Sequence, residues 1–312
     1  MTARNTEFDV AVIGSGAAGL TAAIHSAAMG GSVVCFEQAN LYGGLIANVG
    51  RLDDYPAPGG IAGGALSDLL LGRARELDVS IVPERVTTLG CSDSALRLGT
   101  ESGIYDVKTI ILACGGKLRR IGVPGETELA GRGVSQCDWC DGGLYRNRDV
   151  VVVGGGDAAL QAALHLSELC NSVAIVARGA TLRARRDYVL RAADNERISF
   201  HWETMVEAIL GHDEVEAVRL RSLSDDSHFE YPCAGVFIFA GIVPNLDFTS
   251  AGLTTDRAGW VLTDRDCRTS IPATFAVGAV RSGHRGTVLS AMGEAAAASA
   301  IAAEDLQRRA LL

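Results

Sequence analysis

Two stretches of this chain follow one plan, and the distance between them constrains the architecture more than any other feature. The first is Asp9-Val10-Ala11-Val12-Ile13, an apolar run that feeds Gly14-Ser15-Gly16-Ala17-Ala18-Gly19 and then a helix-like segment from Leu20 to Met29. Ser32 to Glu37 follows as a second strand. The second stretch is Asp149-Val150-Val151-Val152-Val153, which feeds Gly154-Gly155-Gly156-Asp157-Ala158-Ala159, a helix-like Leu160 to Leu169 and a strand from Ser172 to Ala177. Continuous apolar runs joined through helices read as parallel strands buried on both faces. The two glycine loops start 140 residues apart. That gap points to two separate α/β domains rather than one sheet, and 312 residues are enough for two cores.

The loops themselves carry chemistry. Gly14 permits a tight turn, Gly16 lets backbone approach a pyrophosphate, and Gly19 lets the helix lie close to the strand. The free N–H groups at the helix start then receive phosphate. Glu37 ends the second strand, where a carboxylate bonds ribose hydroxyls. The expectation is a Rossmann-like site. The second loop keeps Gly154 and Gly156 but has Ala159 in the third position. Its second strand ends in Ala177-Arg178-Gly179, with Arg183 close behind and no acid. Arginine in place of the acid favours a 2′-phosphate, so Arg178 and Arg183 point to NADPH. Arg185, Arg186 and Arg191 read equally well as a solvated basic helix face.

Between the loops, Thr109 to Gly116 is an apolar strand ending in glycines, and Gly122-Val123-Pro124-Gly125 reads as a crossover. Gly235 to Gly241 is a matching strand, after which Val243-Pro244-Asn245 carries the chain back. Thr274 to Gly278 is another strand-to-glycine turn, and Thr287 to Leu306 is an Ala-rich helix. The expected organisation is a discontinuous domain, residues 1–117 and 243–312, with residues 118–242 inserted as a second.

A net charge of −9 argues against general nucleic-acid binding, which wants a basic face. No apolar leader precedes Phe8, and no segment reaches the roughly 20 apolar residues of a membrane span. A soluble, cytoplasmic protein with no membrane partner is expected. Of eight cysteines, six (Cys35, Cys91, Cys114, Cys170, Cys233 and Cys267) are isolated and read as small buried apolar residues.

Cys137 and Cys140 are different. They form a C-x-x-C pair 14 residues before Gly154. A structural zinc would want a second such pair or a Cys/His pair, and the sequence has neither, so no metal site is assigned. A redox couple and an inert pair remain. Asp141 either moves a proton during thiol exchange or fills the turn before Gly142-Gly143. Trp139 packs on the dithiol or on a bound ring.

Taken together, these motifs resemble the low-molecular-weight thioredoxin reductase family over nearly the whole chain. The resemblance rests on Gly14–Gly19, Gly43-Gly44, Tyr55-Pro56, Gly122–Gly125, Cys137–Cys140 with Asp141, Gly154–Asp157 and Pro244-Asn245. It implies FAD in the discontinuous domain and NADPH in the inserted one, a homodimer, and a thioredoxin-like protein or small disulfide as partner. By that pattern Cys140 faces the flavin, Cys137 is the more exposed exchange thiol, and Asp141 is the acid–base group. Carried over to this chain, the FAD residues are Gly14, Gly16, Ala17, Ala18, Gly19, Glu37, Gln38, Gly44, Asn48, Val86, Ala113, Gly278, Arg285, Gly286 and Thr287. The NADPH residues are Gly154, Gly156, Asp157, Ala158, Arg178 and Arg183.

The chain departs from the family pattern at Gly179, at Ala279 where the family has an acid, and at His284-Arg285-Gly286 where it has Tyr-Arg-Gln. His284 is then a new base or a surface residue. The departures keep two alternatives in view. One is a dithiol oxidase, or a reductase fed by NADH or ferredoxin. The other is a non-catalytic flavin sensor.

Overall fold

The computed structural model describes residues 6–38, 42–57, 59–91, 96–250 and 252–311. The chain opens with β1 (Thr6–Ile13), α1 (Ala17–Ala28) and β2 (Val33–Phe36), followed by α2 (Gly63–Glu76), β3 (Ser80–Val82), β4 (Val86–Cys91), β5 (Leu96–Thr100) and β6 (Ile104–Leu112). After β7 (Gly116–Leu118) come β8 (Val134–Ser135), the one-turn α3 (Asp138–Asp141), β9 (Asp149–Val153), α4 (Asp157–Leu169), β10 (Ser172–Val176) and α5 (Arg186–Ala193). Strands β11 (Ile198–His201), β12 (Thr204–Leu210), β13 (Ala217–Ser222), β14 (His228–Pro232) and β15 (Gly235–Ile238) follow. The chain ends through β16 (Ile242–Pro244), β17 (Thr249–Ser250), β18 (Thr274–Ala276) and α6 (Val288–Ala310).

These elements gather into two compact units, Met1–Lys117 with Val243–Leu312, and Leu118–Ile242. The chain passes from one to the other at β7 and returns at β16, and these two short strands pair with each other. Gly122–Gly125 is therefore not the crossover expected from its glycines. It lies inside the inserted unit, where the Glu126 side chain accepts the backbone N–H groups of Ile121 and Gly122.

Among the described residues, the discontinuous unit holds an eight-stranded sheet in the order β17-β4-β5-β6-β1-β2-β3, with β18 also on β6. Residues 104–107 of β6 pair with β5 and residues 110–112 of the same edge pair with β18. The other edge runs parallel to β1. Strand alternation sends Val10 and Val12 to one face and Ala11 and Ile13 to the other, and both faces are covered. On the first face α1 meets α6 through Ala22, Ala23, Ala295, Ala298 and Ala302. Small side chains let the two helices approach closely, and the Ser299 hydroxyl donates to the Ala22 carbonyl. The second face packs with Leu89, Leu96 and Leu98 of β4 and β5 and with Val261 and Ile271.

The inserted unit repeats this design. Among the described residues its five-stranded sheet has the order β11-β10-β9-β15-β8, all parallel. Val150 and Val152 pack under Leu160, Ala163 and Leu166 of α4. Val151, Ala174 and Val176 face the antiparallel β12-β13-β14 sheet through Val206, Ile209, Val218 and Leu220. Full burial of such branched side chains stabilises each face by ~1.5–3 kcal/mol per residue. Among the described residues, no helix is long and apolar enough to cross a membrane.

The turn at Gly125 joins these layers. Gly125 has φ +86°, and a Cβ there would stand 2.0 Å from the Ile209 carbonyl oxygen. Gly131 has φ +73° with nothing within 4 Å of its Cβ position. Replacing Gly131 with Ala should cost only the left-handed backbone penalty, about 1 kcal/mol. Replacing Gly125 adds a clash with backbone that cannot swing aside, for a loss of about 3 kcal/mol or more. Urea midpoints of the two variants check the ordering; equal midpoints would refute it.

Candidate functional site

The first glycine loop is built by close approach. Gly14 has φ +102°, donates its N–H to the Phe36 carbonyl, and leaves no room for a Cβ, which would lie 2.5 Å from the Ala113 carbonyl oxygen. A Cβ on Gly19 would fall 1.8 Å from the Gly14 oxygen and 3.3 Å from the Ala113 Cβ. Helix α1 starts at Ala17, inside the motif and three residues before the expected start at Leu20, because Gly16 already serves as its N-cap. No side chain caps it, and no acid sits in its first turn. Above Gly16 the space is open, since a Cβ there would meet only the Gly43 oxygen at 3.8 Å.

Other segments converge on this loop. Glu37 Oε2 accepts from the Ser15 N–H at 2.9 Å and from its hydroxyl at 2.7 Å, so the acid at the end of β2 also fixes the loop. Gly43 bridges Gly16, and the Cβ position of Gly44 is 3.3 Å from the Gly16 Cα. Gly278, at φ +69°, presses on Ala18, whose Cβ is 2.9 Å from its own Cβ position. Gly14, Gly16, Ala17, Ala18, Gly19, Glu37, Gly44, Ala113 and Gly278 thus stand together. Gln38 follows Glu37 at the surface, and Asn48 closes a 3-10 turn from Gly44. The Val86 side chain is in the core. Arg285 and Gly286 are exposed ahead of α6, and the Thr287 hydroxyl caps that helix by accepting from the Ser290 N–H. The bare helix start and the open glycine fit the pyrophosphate of FAD.

The second loop copies the first with one relaxation. Gly154, φ +146°, donates to the Val176 carbonyl, and a Cβ would lie 2.5 Å from the Phe239 oxygen. Ala159 replaces the third glycine, and its own Cβ stays 3.0 Å from the Cβ position of Gly154. Helix α4 starts behind Gly156, also without a side-chain cap, and nothing lies within 4 Å of the Gly156 Cβ position. The segment after β10 folds back over this loop. The Arg183 N–H donates to the Gly155 carbonyl, the Arg185 N–H donates to Asp157 Oδ1, and Leu182 stands 3.3 Å from the Gly155 Cβ position. Ala158 is exposed beside Asp157 in the first turn of α4.

Arg178 and Arg183 are exposed cations beside the loop, and no ion pair holds either among the described residues. Arg185 differs from the expected solvated face. It grips Asp187 with two hydrogen bonds, 3.0 and 2.9 Å, and lies over the Tyr188 ring. Two free guanidinium groups at an open glycine loop fit a 2′-phosphate dinucleotide.

Cys137 and Cys140 are joined as a disulfide. Cys137 caps the one-turn helix α3, its sulfur accepting the Cys140 N–H at 3.1 Å. The Ser135 hydroxyl organises the turn: it accepts the Cys137 N–H at 3.0 Å and donates to Asp141 Oδ2 at 2.6 Å. Asp141 is thus tied to the backbone of the dithiol, and its charge together with desolvation raises the Tyr145 phenol. On the opposite side, Asp138 Oδ2 meets His165 Nδ1 of α4 at 2.8 Å, and the Trp139 indole lies on the same imidazole, centroids 4.7 Å apart. The Trp139 ring thus rests on His165. Cys140 is exposed and Cys137 half-buried, with the Ser135 hydroxyl on the Cys137 N–H. Ser135, Asp138 and His165 carry no motif; the one sequence signal was a histidine eight residues into α4, on the helix that follows the second loop.

The other cysteines differ in kind. Desolvation pushes the thiols of Cys35, Cys114 and Cys233 up to about 12 and that of Cys170 up to about 11, and it also raises Cys267. Cys35, Cys170, Cys233 and Cys267 are buried as expected, whereas Cys114 is only half-buried at the end of its strand. The side chain of Cys91 lies outside the described residues.

His284 is not a surface residue. Its side chain is 8% exposed, with Nδ1 3.2 Å from Glu294 Oε1. The same oxygen accepts Arg281 at 2.8 Å, and Glu294 Oε2 accepts the Gly278 N–H at 2.7 Å. Burial acts to raise the Glu294 carboxyl, but the His284 and Gly278 hydrogen bonds and the His284 and Arg281 charges hold it below the usual range. This cluster fixes the turn that presses on Ala18, in a segment where Ala279 offers no carboxylate.

The comparisons with known proteins agree with this geometry. The model of the pyridine nucleotide-disulphide oxidoreductase family matches residues 8–299. A thioredoxin reductase of Treponema pallidum is 36% identical over 299 residues, covering 96% of this chain and 97% of that protein. The crystal structure of Lactococcus lactis thioredoxin reductase, in its FR conformation, superposes with a TM-score of 0.92 at 35% identity, covering 95% of this chain and 98% of that one. The T. acidophilum thioredoxin reductase structure gives 0.92 at 29% identity, covering 96% and 99%.

Glu294 yields a signed expectation. Its folded pKa lies below the unfolded one of about 4.3, so the native state binds fewer protons there. Its contribution is complete above the unfolded value and is lost as pH falls through the folded value. Glu294→Gln should cost about 1–3 kcal/mol at neutral pH, and its deficit should shrink as pH falls from the unfolded value through the folded one. Urea melts across that range check this, and a constant deficit would contradict it.

Proposed function

Because this chain belongs to the pyridine nucleotide-disulphide oxidoreductase family, we propose that it is a disulfide reductase carrying electrons from NADPH through FAD to Cys137–Cys140, and on to thioredoxin or a related small disulfide. As a member of that family it is an oxidoreductase whose cofactors are FAD and NADPH. In this reading Met1–Lys117 with Val243–Leu312 holds FAD at the Gly14–Gly19 loop, and Leu118–Ile242 holds NADPH at the Gly154–Ala159 loop. The family resemblance carries two further parts of the reading, a homodimer and a cytoplasmic location.

The observation that carries the proposal is the disulfide turn lying on α4, the helix whose start forms the second glycine loop. Bound FAD supplies a two-electron relay between nicotinamide and disulfide. Overall, NADPH loses two electrons as a hydride, one proton is taken up, and the Cys137–Cys140 bond opens to two thiols. Arg178 and Arg183 hold the dinucleotide's 2′-phosphate, while the uncapped start of α4 meets its pyrophosphate. At the dithiol, the Cys140 N–H already points at the Cys137 sulfur and stabilises it as thiolate. Asp141, aimed by Ser135, is the group that gives and takes the proton. One thiolate of the pair then attacks the partner's disulfide to give a mixed disulfide, and the other displaces the partner's reduced thiols as Cys137–Cys140 closes again.

Anaerobic titration of the flavoprotein with NADPH is the test. Two equivalents should be needed to bleach the flavin, because the disulfide takes up one electron pair, whereas the Cys137→Ser/Cys140→Ser double variant should bleach at one equivalent and reduce no thioredoxin. A flavin that stays oxidised at saturating NADPH would sink the donor assignment. Removing either free guanidinium, by Arg178→Ala or Arg183→Ala, should raise KM for NADPH about 10–100-fold, the equivalent of one charge-assisted contact. KM for NADH should stay nearly unchanged in both variants, and a parallel rise for both nucleotides would exclude 2′-phosphate recognition.

A further inference from the structure

We infer that His165 is a positioning residue for the Cys137–Cys140 couple, clamping the two residues between the sulfurs onto helix α4. The turn between the cysteines consists of Asp138 and Trp139, and both are held by one imidazole. Asp138 Oδ2 stands 2.8 Å from His165 Nδ1, and the Trp139 ring lies 4.7 Å from the imidazole, tilted by 37°. Against an ionised carboxylate, which has no proton to give, Nδ1 is the donor. The imidazole and the carboxylate are both largely sheltered, at 22% and 19% side-chain exposure, whereas Trp139 is 57% exposed. An exposed indole has little reason to keep one orientation unless something below it does so. Just past the disulfide, Gly142 lies flat on the same helix: a Cβ there would meet Leu166 at 3.0 Å, Leu169 at 3.4 Å and His165 at 4.0 Å. The dithiol turn is thus seated across one face of α4, with Ser135 holding its other side.

The consequence concerns the equilibrium between disulfide and dithiol. Reduction breaks the S–S bond, adds two electrons and two protons, and leaves the sulfurs connected only through the turn. A turn clamped at Asp138 and Trp139 keeps the two thiols adjacent, so ring closure has a high effective concentration and the disulfide is favoured. Without the clamp the reduced turn gains freedom, closure becomes less favourable and the couple becomes easier to reduce.

The inference rests on the reading of Cys137–Cys140 as the exchanging couple, but its test needs neither NADPH nor thioredoxin. The holoenzyme is equilibrated in graded mixtures of oxidised and reduced dithiothreitol, in which the dithiothreitol thiols lose the two electrons that the disulfide gains. Quenching by alkylation and mass measurement of the Cys137–Cys140 peptide then gives the equilibrium constant. His165→Leu, which keeps bulk but loses the donor, should shift the constant toward the dithiol by at least fivefold. Asp138→Ala, a change on the turn that leaves the residues of α4 and the core unaltered, should do the same. His165→Asn, whose side-chain N–H falls where Nδ1–H stands, should return the constant to within twofold of the parent. Constants within twofold of the parent for both His165→Leu and Asp138→Ala would overturn the inference. A shift in His165→Leu without one in Asp138→Ala would also overturn it, because the effect would then belong to α4 packing. Failure of the NADPH titration, with these shifts present, would count against the electron donor and leave the clamp standing.

Discussion

Both glycine loops depend on a first glycine held against the end of the neighbouring strand, where a Cβ would stand 2.5 Å from a carbonyl oxygen. In the discontinuous unit α1 also starts so close that the Cβ of any third-position residue would sit 1.8 Å from the Gly14 oxygen. In the inserted unit α4 stands far enough away for Ala159. The difference explains why one loop needs three glycines and the other two, without any appeal to the ligand. In both, the approach brings an uncapped helix start to the carboxyl end of the central parallel strands, β1 between β2 and β6 and β9 between β10 and β15. Neighbouring strands lead away in opposite directions there, which opens a crevice for an extended anionic ligand. The Ala-rich contact of α1 with α6 serves the same end, because small side chains keep α1 pressed against β1.

Helix α4 connects the two chemistries of the inserted unit. Its start faces the second glycine loop, and His165, eight residues on, lies roughly 12 Å along the axis. A single rigid element therefore carries both the second glycine loop at its start and the seat of the dithiol turn. Ser135 does for Asp141 and Cys137 what His165 does for Asp138 and Trp139, one from strand β8 and one from a helix. The turn between the sulfurs has little regular structure of its own, since α3 is one turn long. Its order is borrowed from the scaffold on both sides.

Local pattern made the strand–loop–helix units legible, because apolar runs, glycine spacing and the acid or arginine at the second strand end all lie within about 30 residues of each other. The fold class and the C-x-x-C pair were readable for that reason. Three kinds of feature were not. The antiparallel layers, β4-β5 and β12-β13-β14, alternate too weakly to stand out from loop sequence: β14 is His-Phe-Glu-Tyr-Pro with a mostly exposed pattern. The pairing of Gly116–Leu118 with a strand more than 120 residues later lay beyond any local pattern, and Gly122–Gly125 carries turn chemistry of its own. Partners such as Ser135, His165 and Glu294 were invisible for a third reason. Each acts by a tertiary contact with a residue whose own motif drew attention, and a lone Ser, His or Glu on a helix or strand has no signature. His284, which the sequence left as either a base or a surface residue, is instead buried against the Glu294 carboxylate.

Two of the departures from the family pattern, Gly179 and Ala279, follow one physical rule. Gly179 removes a cation from the end of β10, and it makes room for a tight turn, because a Cβ there would meet the Thr181 oxygen at 3.3 Å. That turn swings Leu182 onto Gly155 and hands the Gly155 carbonyl to the Arg183 N–H, which brings a guanidinium back beside the loop. Ala279 removes a carboxylate from the turn after β18, and Glu294 reaches from α6 to the adjacent Gly278 N–H, with Arg281 and His284 balancing its charge. In each case the charge moves from the strand end to the following segment while the glycine turn keeps its shape. The shape of the loop is the property that stays constant, because it leaves the bare helix start behind it open. Charge around the loop can be supplied by any element that reaches it.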